Sequence, residues 1–252
     1  MQPLGTTFFV SDLHLSTARP AMIDAFHTLV RGPVRRASAL YILGDLFDSW
    51  LGDDQLREPL AAGVANALAE LPGLGIPVYL LVGNRDFLFG DRFIEACRAT
   101  RLPDVVVHEI QGVRTLLMHG DLLCTDDVNY QRLRRHWQDP RRRNRFVARP
   151  YWVRRAIAAV LRFGSRHLTA AKRESIMDVN EAAVEAAMRE HHVTRLIHGH
   201  THRPACHVVD VDGVRGERWV LADWYRAASF LEVDARGVHP RVLEMAEATA
   251  RH

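Results

Sequence analysis

The sequence predicts an α/β sandwich, and three observations predict it. Short apolar runs of strand length each end in a polar cluster, helix-period segments separate the early ones, and after residue 202 short strands with turn signals follow one another. In order, Phe8-Phe9-Val10 leads to Ser11-Asp12-Leu13-His14, and Leu40-Tyr41-Ile42-Leu43 leads to Gly44-Asp45. Val78 to Val82 leads to Gly83-Asn84-Arg85-Asp86, Thr115 to Met118 to His119-Gly120-Asp121, and Arg195-Leu196-Ile197 to His198-Gly199-His200-Thr201-His202. Between the first runs, Met22–Val30 repeats apolar residues at Met22, Phe26, Leu29 and Val30, and Val64–Leu71 has a helical period too. Strands alternating with helices make a sheet whose ligands gather beyond the strands' carboxyl ends, where all five polar clusters fall. Later, Cys206, Val208 and Val209, the Asp212-Gly213 turn, Trp219-Val220-Leu221, Phe230 to Val233 and Val242-Leu243 predict an antiparallel second sheet closing the sandwich.

The bulk numbers narrow the class. A chain of 252 residues accommodates one cored domain with an elaboration, and 48% hydrophobic with 25% charged residues is ordinary for a soluble globular protein. The first residues run into Thr6–Val10 without a signal-peptide pattern, and no apolar stretch approaches the ~18 residues of a spanning helix. The expectation is a soluble protein, or a peripheral one at most. Cys97, Cys124 and Cys206 have no Cys-x-x-Cys spacing, which argues for reduced, buried thiols in a cytosolic chain. The net charge of +3 hides an asymmetry: from Arg132 to Arg173 fourteen Arg and Lys face one acid, Asp139, giving +13 there and −10 elsewhere. A basic block inside an acidic protein reads as a functional insertion.

The polar clusters supply Asp12, His14, Asp45, Asn84, His119, His200 and His202. Carboxylate, amide oxygen and imidazole together suit borderline first-row divalents and fit an all-oxygen calcium site poorly. In Asp-x-His and His-x-His, residues i and i+2 project to one side and can converge on one centre. Seven donors are too many for one ion but suit two that share a carboxylate, and Asp45, on the Gly44 turn, is the natural bridge. Two cations roughly 3.5–4 Å apart can clamp a phosphate and activate a water. Each motif alone is as readily a turn or a strand-end polar pair; together, in this order at strand ends, they make a site. The series Asp-x-His, Gly-Asp, Gly-Asn-x-Asp, His, Gly-His-x-His, from Phe8 to Pro204, resembles the signature of the calcineurin-like metallophosphoesterases.

Arg85 narrows the reaction. Most of that superfamily has His in this place, where it assists the leaving group. A guanidinium, with a pKa above about 12, donates no proton at neutral pH but can grip two phosphate oxygens. A site without a general acid suits a leaving group that is already acidic, such as a phosphate leaving a phosphoanhydride. Asp86 is expected to orient a neighbouring donor.

Longer stretches are more specific. Leu43 to Asp54, Gly83-Asn84-Arg85-Asp86-Phe87-Leu88, Met118 to Asp127, Ser175 to Asn180 and His198 to Pro204 closely resemble the UDP-2,3-diacylglucosamine pyrophosphatase family. The resemblance implies a four-layer α-β-β-α sandwich over residues 1–245 with a helical cap, 126–180, inserted over the active site. It implies an enzyme of lipid A biosynthesis on the cytoplasmic face of the inner membrane, hydrolysing UDP-2,3-diacylglucosamine to UMP and 2,3-diacylglucosamine 1-phosphate by water attack on the UMP-side phosphorus. Mn²⁺ is the implied metal, one ion on Asp12, His14, Asp45 and His202 and the other on Asp45, Asn84, His119 and His200. Implied substrate contacts are Asn84, Arg85, Asp127, Ser165, Thr169, Lys172 and His200. At 169 the family has Asn, so this chain keeps a hydroxyl and loses the amide.

Within the insertion, Trp152, Val153, Ala156, Ile157, Val160, Leu161 and Phe163 share one arc of a helical wheel, with Arg154, Arg155 and Arg162 opposite. Such a helix suits an anionic membrane interface or an acyl-chain pocket, or else packs on the core with its arginines in water. Thin aromatic interleaving and the lack of a recognised motif argue against a nucleic-acid partner, and nothing implies an obligate protein partner. A soluble nucleotide pyrophosphatase or nuclease on the same two-metal site remains the alternative.

Overall fold

The computed structural model describes residues 5–170 and 178–244, with side chains in the first range described to residue 160. The first apolar runs form β1 (Thr7–Val10), β2 (Ala39–Leu43) and β3 (Val78–Leu81), parallel and adjacent, with α1 (Pro20–Arg31) and α2 (Pro59–Gly73) as the crossovers. Pro20 and Pro59 open these helices at their first turns, where a missing N–H costs nothing. The sheet is completed by β4 (Thr100–Arg101), which follows α3 (Asp91–Ala96), and by β10 (Ser229–Asp234) and β11 (Gly237–Val242), in the order β11-β10-β1-β2-β3-β4. A second sheet runs β5-β6-β7-β9-β8, from β5 (Val105–Ile110), β6 (Val113–Met118), β7 (Arg195–His198), β8 (Ala205–Val211) and β9 (Val214–Val220).

Alternation in the strands sorts three apolar clusters into the layers between them. Phe9, Tyr41, Leu43 and Leu81 of the first sheet meet Leu117, Ile197 and Leu221 face to face. Phe8, Val10, Ile42 and Leu80 point the other way, onto Phe26 and Leu29 of α1 and Val64 and Leu68 of α2. Leu116, Met118 and Leu196 pack outward on Val184 and Met188 of α7 (Glu181–Glu190). The layers are therefore α-β-β-α, as expected.

Two expectations need correction. The strands after residue 202 do not form one antiparallel sheet: β8 and β9 join the second sheet, β9 lying parallel to β7, whereas β10 pairs antiparallel with β1. The chain crosses between sheets at Trp224, fully buried, because β10 has apolar side chains for both faces of the first sheet, Phe230 on one and Leu231 and Val233 on the other. Cys206 is exposed on β8, the edge of its sheet, while Cys97 and Cys124 are buried thiols.

The basic stretch forms α4 (Val128–Gln138), α5 (Pro140–Val147) and α6 (Tyr151–Ala170). Trp137, Phe146 and Ile157 pack on the cluster that also holds Phe47, Trp50 and Phe87, the loops after β2 and β3. The arc drawn on the wheel is not the buried face. Trp152 and Val160 are 73% and 72% exposed, while Arg154 is buried at 2%. Its guanidinium pairs with Asp54 and donates to the carbonyls of Leu51 and Arg149, so partners on the core turn the helix toward Arg154. Leu161, Arg162 and Phe163 lie outside the described side chains. Among the described residues no helix is long and apolar enough to cross a membrane.

Removing one partner of a buried pair costs about 3–5 kcal/mol, at the low end here because Asp54 is 31% exposed. Arg154→Ala is expected to lower the unfolding free energy by about 3 kcal/mol. Exposed Arg155→Ala should change it by less than about 0.5 kcal/mol, both read from urea denaturation.

Candidate metal centre

The seven polar residues meet where the strands of both sheets end. Five of them, Asp12, His14, Asp45, His200 and His202, hold a left-handed backbone, with φ of 55°, 46°, 54°, 70° and 55°. Each such conformation costs a non-glycine residue roughly 1–2 kcal/mol, and hydrogen bonds between neighbouring strand ends enforce it. Asp12 N–H donates to Gly44 O (3.1 Å), His14 N–H to Asp45 O (2.9 Å) and Gly199 N–H to His119 O (2.8 Å). The approach is close enough to need glycine: a Cβ at Gly83 would collide with Asp45 Oδ1, and one at Gly199 with Asp12 Oδ2 and Ser11 Oγ.

Two sets of donor atoms converge. Asp12, His14 and His202 each offer an atom within 4.8 Å of the others, as do Asp12, Asp45 and His119. Asp45 Oδ2 stands between the sets, 3.8 Å from His14 Nε2 and 3.9 Å from His119 Nε2. Asn84 Oδ1 lies 2.9 Å from both His119 Nε2 and His200 Nδ1, and His202 Nε2 lies 3.2 Å from Asp12 Oδ1. His119 donates from Nδ1 to Leu43 O at 2.9 Å, which turns Nε2 toward the centre. Asp12 keeps Oδ2 for Ser11 Oγ–H and His200 N–H and aims Oδ1 inward.

The donor set asks for positive charge. Burial raises the Asp45 carboxyl above the usual range, and the nearby Asp86 and Asp12 add to this against the pull of His119. Burial would lower His119, but Asp45, Asp12 and Asp121 raise it to about 9. Burial takes His14 down to about 3 and His200 to about 4, leaving neutral imidazoles with free lone pairs. A divalent cation in either set would supply the positive charge that the buried carboxylates call for. The residues present fit a pair of such ions.

Around the centre, Asp86 is buried and both oxygens accept backbone N–H groups, Oδ2 from Leu46 and Oδ1 from Gly83, each at 2.7 Å. It ties the loop of Asp45 to the loop of Asn84. Arg85 is exposed at the same loop and forms no ion pair among the described residues, while its N–H donates to Asp45 Oδ1 at 2.7 Å. Asp127 caps α4 by accepting from Tyr130 N–H (3.0 Å). The side chains of Ser165 and Thr169, on α6, and the whole of Lys172 lie outside the described residues. Sequence reasoning missed Asp121 as the anchor of α4: it accepts from Tyr130 Oη–H and Arg134 Nε–H, both at 2.6 Å, and the Tyr130 ring lies 5.8 Å from His200. It also missed Asp223, Trp224 and Tyr225, which follow the Trp219–Leu221 strand in no motif that marks them.

Residues 5–204 match the family model described as calcineurin-like phosphoesterase. The chain belongs to the calcineurin-like phosphoesterase family. It is accordingly a metal-dependent hydrolase. This phosphoesterase is 47% identical to UDP-2,3-diacylglucosamine hydrolase of Aromatoleum aromaticum, over 92% of this chain and 94% of the other. It is 45% identical to the protein of that name from Xanthomonas oryzae pv. oryzae, over 92% and 97%, and 44% identical to that of an Enterobacter species, over 92% and 96%.

Because Gly199 leaves no room for a methyl group, Gly199→Ala should displace Asp12. Misplacing a ligating group by about 1 Å can cost 10²-fold in rate, so phosphoesterase activity is expected to fall at least about that far, with bound metal per chain falling in parallel. Activity assays and elemental analysis of the purified variant check both.

Proposed function

We propose that this phosphoesterase hydrolyses the pyrophosphate bond of UDP-2,3-diacylglucosamine, releasing UMP and 2,3-diacylglucosamine 1-phosphate. The observation that carries the reading is near-full-length similarity to hydrolases named for that substrate, combined with Arg85 in the place of a proton donor. When bound, two divalent cations, in this reading Mn²⁺, stabilise charge on the phosphate and activate a water for attack on the UMP-side phosphorus. Asp12, His14, Asp45 and His202 would hold one and Asp45, Asn84, His119 and His200 the other.

The chain's own groups do the rest. Arg85 has no carboxylate partner among the described residues and stands on the Asn84 loop beside Asp45 with five fixed donors, so it would grip non-bridging oxygens on which charge builds. Asp86 holds the two loops in register, and Asn84 and His200 face the reacting phosphate. No group need protonate the leaving phosphate, which is a weak base. The stretch from 126 to 180, with α4, α5 and α6, would cap this site, and Asp127, Ser165, Thr169 and Lys172 would be contacts of the sugar phosphate. Exposed Trp152 beside Arg155 suits an acyl chain or an anionic inner-membrane surface on the cytoplasmic side.

Turnover of UDP-2,3-diacylglucosamine in ¹⁸O water, followed by ³¹P NMR, tests the whole reading. The expected result is label on UMP alone, no turnover after chelation and recovery with Mn²⁺. Label on the sugar phosphate, or faster hydrolysis of UDP-sugars or nucleic acid lacking acyl chains, overturns it in favour of a soluble pyrophosphatase or nuclease. Arg85→Ala should lower kcat by roughly 10²–10³-fold, as for loss of one preorganised donor, with Lys rescuing in part. Trp152→Ser should lower kcat/KM on the diacylated substrate without changing Tm. Ile157→Ser, on the core side of the same helix, should lower Tm and hurt acylated and deacylated substrates alike.

A further inference from the structure

Asp12, His14 and His202 all hold left-handed backbone, and strain of that kind persists only where surroundings over-determine it. A segment from far along the chain, residues 223–225, touches all three, where it crosses from β9 to β10 and beyond the stretch that matches the family model. Trp224 N–H donates to Asp12 O at 3.0 Å. Asp223 Oδ2 lies 3.5 Å from His202 Nδ1, on the far side of the ring from the centre. The Tyr225 ring stacks on the His14 ring, centroids 5.2 Å apart and planes 23° apart.

The contact with His14 matters most. A metal-ligating imidazole is normally oriented by its second N–H on a carboxylate or carbonyl. His14 Nδ1 is buried and has no hydrogen-bond partner among the described residues, so that means is missing there. Tyr225 stands in its place and is itself fixed. The Arg19 guanidinium lies 4.8 Å from its ring centroid and donates to the carbonyls of Trp224 (3.1 Å) and His14. Tyr225 N–H donates to Asp223 Oδ1 at 2.9 Å, and Trp224 Nε1–H to Ser229 O at 2.7 Å, which ties the segment to β10. Tyr225 is nonetheless 48% exposed, an aromatic ring kept at the surface by what it holds.

We propose that Asp223-Trp224-Tyr225, braced by Arg19, is a positioning segment that sets Asp12, His14 and His202 for one of the two cations. The proposal rests on the two-cation reading above. It makes that ion's affinity depend on a stretch of chain which contributes no ligand, and it leaves the ion at Asn84, His119 and His200 independent of the segment.

Equilibrium dialysis of the metal-free full chain against graded Mn²⁺, with metal counted per chain, tests it. Wild type is expected to take up two ions. Tyr225→Ala and Asp223→Ala should each weaken one uptake step by roughly 10–100-fold and leave the other unchanged, as for loss of an outer partner of a ligand. Tyr225→Phe should keep both steps. kcat at low Mn²⁺ should fall with occupancy and return at high Mn²⁺, with KM unmoved. Wild-type uptake of both ions in the two Ala variants overturns the proposal. So does equal weakening of both steps with a lowered Tm, which would make the segment ordinary packing. A wild type that binds fewer than two ions defeats the two-cation reading itself, before any variant is made.

Discussion

The arrangement depends on one buried carboxylate. Asp45 Oδ2 lies within 4 Å of imidazoles from two different strand ends, Oδ1 receives the N–H of Arg85, and the backbone carbonyl receives that of His14. The ends of β1, β2 and β3 are therefore set relative to one side chain. Its burial makes charge there unfavourable unless cationic groups surround it, and the surrounding imidazoles alone leave the balance to protons. Left-handed backbone, glycines that admit no methyl group and a buried carboxylate are all unfavourable locally. All become intelligible around a site for cations.

The basic region shows how poorly formal charge maps onto surface. Arg154 and Arg134 are spent inside, on Asp54 and on Asp121 with Asp104, and fasten α6 and α4 to loops of the core. Asp121 is two residues from His119, and Tyr130, bound to Asp121, lies against His200. The helices are thus attached to the same loops that position the donors. Arg155 and Trp152 remain outside, so a helix that looks amphipathic in one sense on a wheel presents aromatic and cationic side chains together.

Much of this was legible in the sequence. The five strands with polar ends, the two crossover helices and the seven converging residues follow from local period and chemistry, and the structure brings them together. The orientation of α6 was not legible, because its two candidate faces differ little in apolarity and a partner 100 residues away, Asp54, decides between them. The partition of the last strands failed for a related reason. Alternation says which side chains share a face but not which sheet receives them, and β10 joins β1 across most of the chain's length. Tyr225 was invisible as a site residue because its role lies in stacking on His14, and no spacing encodes that.

That pairing of β1 with β10 has a consequence for synthesis. Thr7 to Phe9 emerge from the ribosome more than 200 residues before Leu231 to Val233, so the central strand of the first sheet waits with one edge open. Until then Asp12 lacks the N–H of Trp224 and His14 lacks the ring of Tyr225. A nascent chain stalled before residue 223 already contains every donor of the centre but not the segment that braces three of them. If that segment positions Asp12, His14 and His202 as proposed, metallation of that half would come late, after β10 has closed the sheet.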